Sequence, residues 1–138
     1  MAVGIFVEPD FYTIGTGNFL FCFFSNIAYH LENGQWGNRF PYLMKHLYDG
    51  LLEKQYVGNA IDELHTVKKE FSYISPKKVI WDIEELSQQP PWGNDISEDI
   101  TDLSNYFVTS EGEDLFDVLF KAFGVAKDDN ENIEIKQL

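Results

Sequence analysis

The chain has 138 residues, of which 23 are acidic and 10 basic, so its formal net charge is −13 at pH 7. Hydrophobic residues make up 44% of the sequence and aromatic residues 16%, which excludes a disordered chain and supplies one sizeable core. The negative charge argues against nucleic-acid binding and against adsorption to anionic membranes.

The N-terminal part of the chain predicts one strand followed by a buried helix. An apolar stretch that ends at Glu8-Pro9 predicts a strand over Ala2–Val7. Apolar residues at helical spacing predict an almost wholly buried helix over Phe19–Leu31, with Asn18 as its N-cap.

Two amphipathic helices are predicted next. Pro41 suits the first turn of a second helix, whose apolar stripe extends as far as Leu51. A third helix is predicted over Asn59–Ile74, because apolar residues recur there every three or four positions. Ser75-Pro76 ends this helix.

The second half predicts two strands and a last helix. β-branched and aromatic residues predict strands over Lys78–Glu84 and Tyr106–Thr109. Ser110 and Glu113 match a capping box for the helix that follows. Residues 125–138 are polar and predict a frayed tail. The sequence therefore predicts a single α+β domain over residues 1–124, with about four helices packed on a small sheet of three or four strands.

Patterns typical of catalysis are weak throughout the sequence. The three histidines lie 16 and 19 residues apart, without the closely spaced partners of a zinc site. There is no phosphate loop and no nucleophile elbow. Asp95, Asp99 and Asp102 are candidate ligands for a metal-dependent hydrolase, but no general base or nucleophile accompanies them. We therefore predict no catalytic residues, no metal and no cofactor.

The cysteine content and the N-terminus bear on the compartment. The single cysteine, Cys22, has no partner for an internal disulfide, and the N-terminus lacks the basic region of a secretory signal. Both features predict a cytoplasmic protein.

Negative charge is concentrated in the second half of the chain. Residues 1–78 carry 7 basic and 8 acidic side chains, whereas residues 79–138 carry 3 and 15. The stretch from Val79 to Phe120 holds eleven carboxylates and no Lys or Arg. A solvated face that only aids solubility is one interpretation, and a binding surface for a cationic partner is the other.

Several of these acids lack a local explanation, unlike those near the start of the last helix, which the helix dipole stabilises. Trp92 lies between the unexplained acids, where it either folds back onto the core or serves as an aromatic anchor for a partner. The predicted partner-binding surface consists of Asp82, Glu84, Glu85, Trp92, Asp95, Glu98, Asp99 and Asp102.

Several segments, in order, resemble motifs of one protein family. They are Phe19–Leu31 with the following ENGQWGNRFP, then VIWDIE at Val79–Glu84, PPWG at Pro90–Gly93, and LSNYFVT at Leu103–Thr109. These motifs resemble the bacterial immunity proteins of the immunity protein 70 family, over about Gly4–Phe123. The resemblance implies a cytoplasmic antidote, made beside a polymorphic toxin, that binds the toxin's C-terminal domain without catalysis or a cofactor. It leaves open whether Trp36, Trp81 and Trp92 serve folding or binding.

The concentration of negative charge and the family resemblance predict the same mechanism of toxin inhibition. Many toxins of such systems are nucleases, and a nuclease needs a cationic groove for its substrate. An acidic antidote surface can occupy that groove, so we expect a basic toxin domain as the partner, and neither nucleic acid nor membrane. The alternatives are an acidic regulatory module for another basic protein and the carboxylate-based hydrolase described above.

Overall fold

One antiparallel sheet of four strands organises the chain, in a computed structural model that describes residues 2–93 and 95–137. The strands are β1 (Ala2–Val7), β2 (Asp10–Thr16), β3 (Leu51–Leu52) and β4 (Ile133–Gln137). Their order in the sheet is β2-β1-β4-β3, and each neighbouring pair is antiparallel. The prediction of an α+β domain on a small sheet is confirmed.

Three α-helices and one π-helix pack with this sheet. Helix α1 continues as a π-helical segment after its tenth residue, and short 3₁₀ turns occur at Lys54–Tyr56 and Pro76–Lys78. The helices are α1 (Gly17–Asn26, extended by Ile27–Leu31), the π-helix Tyr42–Leu47, α2 (Val57–Phe71) and α3 (Leu115–Asp129).

A cluster of four phenylalanines marks the centre of the core. Phe23 of α1 makes edge-on contacts with Phe71 of α2, Phe107 and Phe116 of α3, at ring-centroid distances of 6.2, 5.2 and 5.4 Å. All four side chains are at most 1% exposed. Aromatic pairs prefer this edge-to-face arrangement, so the cluster stabilises the meeting point of all three α-helices.

The C-terminal segment is part of the fold, and the prediction of a frayed tail over residues 125–138 is wrong. Helix α3 continues to Asp129, and β4 lies between β1 and β3 in the sheet. Ile133 is fully buried and Ile135 pairs with Ile5 of β1. The two isoleucines alternate with charged residues, a period-2 pattern that the polar composition of the segment obscured.

Two predicted helix caps are replaced by neighbouring residues. Thr16, rather than Asn18, caps α1, because its Oγ1 accepts a hydrogen bond from the amide of Phe19 at 3.1 Å. Asp114, rather than the Ser110 box, caps α3 by accepting from the amides of two first-turn residues. In both cases a side-chain oxygen accepts a hydrogen bond from an otherwise unpaired helix amide. Side-chain capping was therefore predicted correctly, but the capping residue was not.

Four strand and helix assignments also differ from the prediction. Strand β2 was missed, and Lys78–Glu84 is irregular rather than a strand. Tyr106–Thr109 contributes only one bridge, from Val108 to Asp114. Leu51 belongs to β3 and is 46% exposed, so it does not extend the apolar stripe of the second helix. Short strands form by pairing with segments that are distant in sequence, and local sequence patterns do not specify that pairing.

Candidate functional site

The predicted partner-binding residues lie on residues 79–109, which we call the acidic segment. The described residues of the segment, 79–93 and 95–109, follow an irregular course of turns next to α1. Asn26 of α1, fully buried, binds both polar backbone groups of Ile80: its Nδ2 donates to the carbonyl oxygen at 2.9 Å, and its Oδ1 accepts from the amide at 3.0 Å. A buried amide therefore replaces the sheet ladder that this stretch of backbone lacks.

Further hydrogen bonds fix the segment along its length. The Ile83 amide donates to Ser25 Oγ at 3.3 Å, and the Leu103 amide donates to the Ile74 carbonyl oxygen at 3.0 Å. Cys22 Sγ donates to a carbonyl of the segment at 3.3 Å. Burial raises the pKa of the Cys22 thiol to about 12, so this cysteine is a structural donor rather than a nucleophile.

Trp92 folds back against the protein. Its indole Nε1 donates to the Tyr106 hydroxyl at 2.6 Å, and its ring meets Trp81 edge-on at 5.6 Å. The side chain is half-buried and packs against the core. It also lines a cavity of about 200 Å³ together with Phe19 and Asp95. Trp92 thus shapes the surface beside an acidic residue instead of projecting from it.

Two of the seven acids have structural roles in turns. Asp82 accepts a hydrogen bond from the amide of Glu84 at 2.7 Å. Asp102 accepts from the Ser104 amide at 2.8 Å and from Thr101 Oγ1 at 2.9 Å. Burial raises the pKa of Asp102, but the hydrogen bonds outweigh it and the net pKa lies below the ordinary value. These two carboxylates hold the local backbone in place.

The five remaining acids are solvent-exposed, and we call them the exposed acids: Glu84, Glu85, Asp95, Glu98 and Asp99. Across residues 2–93 and 95–137, ion pairs join Arg39 to Glu70 and Lys136 to Glu134, and neither pair includes an acid of the segment. Among the hydrogen bonds of the described residues, one reaches an exposed acid from another side chain: Glu85 accepts it from a neighbouring serine at 2.6 Å. The negative charge of the segment is therefore not neutralised by the cations of the described chain.

Two of the exposed acids line cavities, and the two cavities are different ones. Asp95 lies in the cavity that Trp92 lines, whereas Glu84 lies in another of about 440 Å³. The edge-on contact between Trp81 and Trp92 joins the two stretches of chain that carry them. The structure thus links the two acidic groups through a pair of indoles but does not place them around one cavity.

Sequence reasoning missed the aromatic residues that surround Glu84. Phe21, Trp36 and Tyr48 line its cavity, and all three are half-buried. Their positions in the chain give no signal, because α1, the following loop and the end of the π-helix are far apart in sequence from Glu84. In the structure, Phe21 is the partly exposed position in a helix whose other side chains from Leu20 to Asn26 are buried.

The loop that carries Trp36 is organised by a buried carboxylate. Glu32, 4% exposed, accepts hydrogen bonds from the amides of Gly37 at 3.0 Å and Arg39 at 2.9 Å. Trp36 Nε1 donates to the Met44 carbonyl oxygen at 2.8 Å, which fixes its ring. A buried carboxylate is costly unless it is hydrogen-bonded in this way, so Glu32 specifies the loop conformation.

The arrangement of acids does not form a metal site. Within residues 2–93 and 95–137, no three His, Cys, Asp or Glu side chains lie close enough together to hold a metal ion. Asp95, Asp99 and Asp102 are therefore not assembled as the ligand set of a hydrolase. The helices of the described residues also include none with the length and apolar content required to cross a membrane.

A comparison with protein families gives the class of this protein. The model of the immunity protein 70 family matches residues 5–135, nearly the whole chain. The chain belongs to the immunity protein 70 family and is an immunity protein of toxin systems. Family membership implies binding of a cognate toxin and indicates a role without catalysis. Searches of curated proteins and of solved structures give no significant match.

Proposed function

We propose that this immunity protein binds the C-terminal domain of a cognate polymorphic toxin in the cytoplasm and inhibits it by covering a cationic site. The toxin would be a nuclease, whose substrate groove must be positively charged to hold phosphates. The observation that carries the proposal is the set of five exposed acids on one ordered segment, none of them ion-paired within the described chain.

Unpaired acids of one sign favour association with a basic protein in two ways. Their field steers a cationic partner towards the segment, and such steering raises association rate constants to about 10⁸–10⁹ M⁻¹s⁻¹ at low salt. The same field repels nucleic acid, so the inhibitor competes for the groove without binding the substrate. Both effects suit an antidote that must act before its toxin does.

The ordered backbone of the acidic segment adds to this effect. Hydrogen bonds donated by Asn26 and Cys22 and one accepted by Ser25 hold the segment before any partner arrives. A preorganised surface loses less conformational entropy on binding than a disordered acidic tail would. In the complex, the turn acids Asp82 and Asp102 would keep the exposed acids in position, and Trp92 would shape the surface around Asp95.

The test measures association of the purified protein with the toxin domain encoded beside it. In the test variant, Glu84, Glu85 and Glu98 become Gln while Asp95 and Asp99 become Asn, which raises the net charge by five. We expect association at low salt to slow by about ten- to a hundredfold, and the dependence of the rate on salt to flatten. Toxin nuclease activity in the presence of the variant should recover accordingly.

A control variant changes the net charge by the same amount elsewhere. It carries amides at five exposed acids outside the segment that accept no side-chain hydrogen bond: Glu8, Asp10, Asp62, Glu111 and Asp128. This variant should associate within about threefold of the wild-type rate, because steering depends on charge near the binding face. Equal slowing of both variants would reduce the effect to net charge, and wild-type rates in the test variant would refute occlusion by the acidic segment.

A further inference from the structure

Three aromatic rings form an open cage on the surface beside Glu84. Phe21 stacks on Trp36 at 5.8 Å with an interplanar angle of 24°, and Tyr48 meets them at 6.1 and 5.1 Å respectively. Together with Glu84 they line a cavity of about 440 Å³. We call Phe21, Trp36 and Tyr48 the aromatic cage.

Two walls of the cage are fixed from behind, and the third projects from a helix. Trp36 is held by its hydrogen bond to the Met44 carbonyl oxygen and by the loop that Glu32 organises. Tyr48 packs edge-on against the buried ring of Phe24 at 4.9 Å. Phe21 projects from α1 and, unlike its neighbours, is not part of the buried core. The exposed ring faces are thus presented in a preformed arrangement.

Three carboxylates lie at or near this cage, and none of them is ion-paired within the described residues. Glu84 lines the cavity itself, and Asp49 and Asp82 lie near enough to the Tyr48 hydroxyl to add to the effect of burial, which raises its pKa. Within residues 2–93 and 95–137, none of these three acids forms an ion pair. Aromatic faces and nearby carboxylates attract the same kind of group, a cation with an apolar stem.

We infer that the aromatic cage receives a Lys or Arg side chain of the bound toxin, with Glu84 pairing with its charge. This inference rests on the proposed function, since it assigns the cage to the same toxin interface. It extends that interface from the acids to three residues outside the acidic segment. An ammonium or guanidinium group over these rings would be partly desolvated, which strengthens its attraction to the ring faces.

The test is a double-mutant cycle on the toxin complex, with Kd measured by calorimetry for wild type, Phe21→Leu, Glu84→Gln and the double variant. Phe21→Leu should weaken binding by about three- to thirtyfold, the range that cation–π contacts span. The combined loss should be smaller than the product of the two single losses, because both residues bind one cation. Tyr48→Leu removes another wall and is paired with Glu84→Gln in the same way, so the test does not depend on one variant folding.

A matched control is Tyr73→Leu, which removes an aromatic ring that is 78% exposed and lies outside the cage. Its Kd should equal that of the wild type, and melting temperatures verify that each variant is folded. Unchanged Kd in both cage variants would overturn the inference while leaving the proposed function intact. Independent, multiplicative losses would indicate an apolar occupant and would also overturn it. If the wild-type protein fails to bind the toxin, the proposed function falls and the inference with it.

Discussion

The scaffold of sheet and helices differs from the acidic segment in the partners of its backbone hydrogen bonds and in its balance of basic and acidic residues. In the scaffold, strand ladders and helical hydrogen bonds pair the backbone, and residues 1–78 and 110–138 together carry 10 basic and 16 acidic side chains. In residues 79–109, turns and side chains of α1 pair the backbone, and there are seven acids with no Lys or Arg. The exposed acids available to a partner are thus separated along the chain from the scaffold, and the buried Leu103 and Phe107 anchor their segment in the core.

This separation has a physical advantage. Charge that is not neutralised destabilises a compact chain by self-repulsion, and less so where the side chains are exposed and spread along turns. An irregular segment also accepts changes in sequence without altering the packing of helices and strands. The acidic segment can therefore be fitted to a partner while the scaffold stays the same.

The largest expected effect tests whether the scaffold needs its last strand. A chain that stops after Asn130 loses β4, which leaves β3 unpaired and removes the buried side chain of Ile133. Losing such an isoleucine costs about 2–5 kcal/mol, a large part of the roughly 5–15 kcal/mol that holds a domain folded. We expect the shortened chain to lack a cooperative melting transition in circular dichroism.

The control keeps the strand and changes only its outer side. Lys136→Thr removes an ammonium that lies 4.1 Å from the ring centroid of Phe6, and it should lower stability by less than about 1 kcal/mol. A shortened chain that melts cooperatively at the wild-type temperature would instead restore the predicted end of the domain near residue 124.

The contrast between β4 and α2 explains which parts of the scaffold were predictable. Helix α2 was predicted over Asn59–Ile74 and spans Val57–Phe71, because its amphipathic pattern is contained within the segment itself. β4 gains its place from pairing with β1, at the opposite end of the chain. A short polar strand carries little local signal for a contact of that kind, so the sequence indicated the helices better than the sheet.

The next effect in size tests how the segment is attached. Asn26→Ala leaves the amide of Ile80 without its buried acceptor and leaves the Ile80 carbonyl with the weak donor Cys22 Sγ alone, and an unsatisfied buried group costs about 1–3 kcal/mol. We expect the free energy of unfolding to fall by about 2–4 kcal/mol. Hydrogen exchange should increase near Ile80 first, because the scaffold keeps its own ladders and helices.

Cys22 provides a second measurement of the same loosening. Its thiol is buried beneath the segment and has a pKa of about 12, so the native wild-type protein should react very slowly with thiol reagents. Labelling should accelerate in Asn26→Ala well below its melting temperature. Asn18→Ala, at an exposed position that makes no side-chain hydrogen bond, should label at the wild-type rate. Uniformly slow labelling in Asn26→Ala would show that other contacts hold the segment.

The sequence predicted the exposed acids of the candidate site but not the aromatic residues that surround them. The absence of basic neighbours in sequence indicated exposed carboxylates, and five of the seven are exposed. The role of Trp92 depends on Tyr106, and the environment of Glu84 depends on Trp36 and Tyr48. These partners come from separate elements, so only the folded chain brings them together.

The smallest expected effect compares a paired acid of the scaffold with an unpaired one of the segment. Arg39 donates hydrogen bonds to both carboxylate oxygens of Glu70, and these bonds lower the pKa of Glu70. Because the folded pKa lies below the unfolded value, the pair stabilises the protein above about pH 4.3, and this contribution is lost as pH falls through the folded pKa. Glu70→Gln should therefore lower the melting temperature slightly at pH 7, by less than about 1 kcal/mol in free energy, since the pair is exposed. The difference should shrink as pH falls below about 4.3, whereas Glu98→Gln, which removes no ion pair of the described chain, should leave the melting temperature at pH 7 unchanged. A Glu70→Gln difference that persists in acid would show that the scaffold is held there by packing and not by charge pairing.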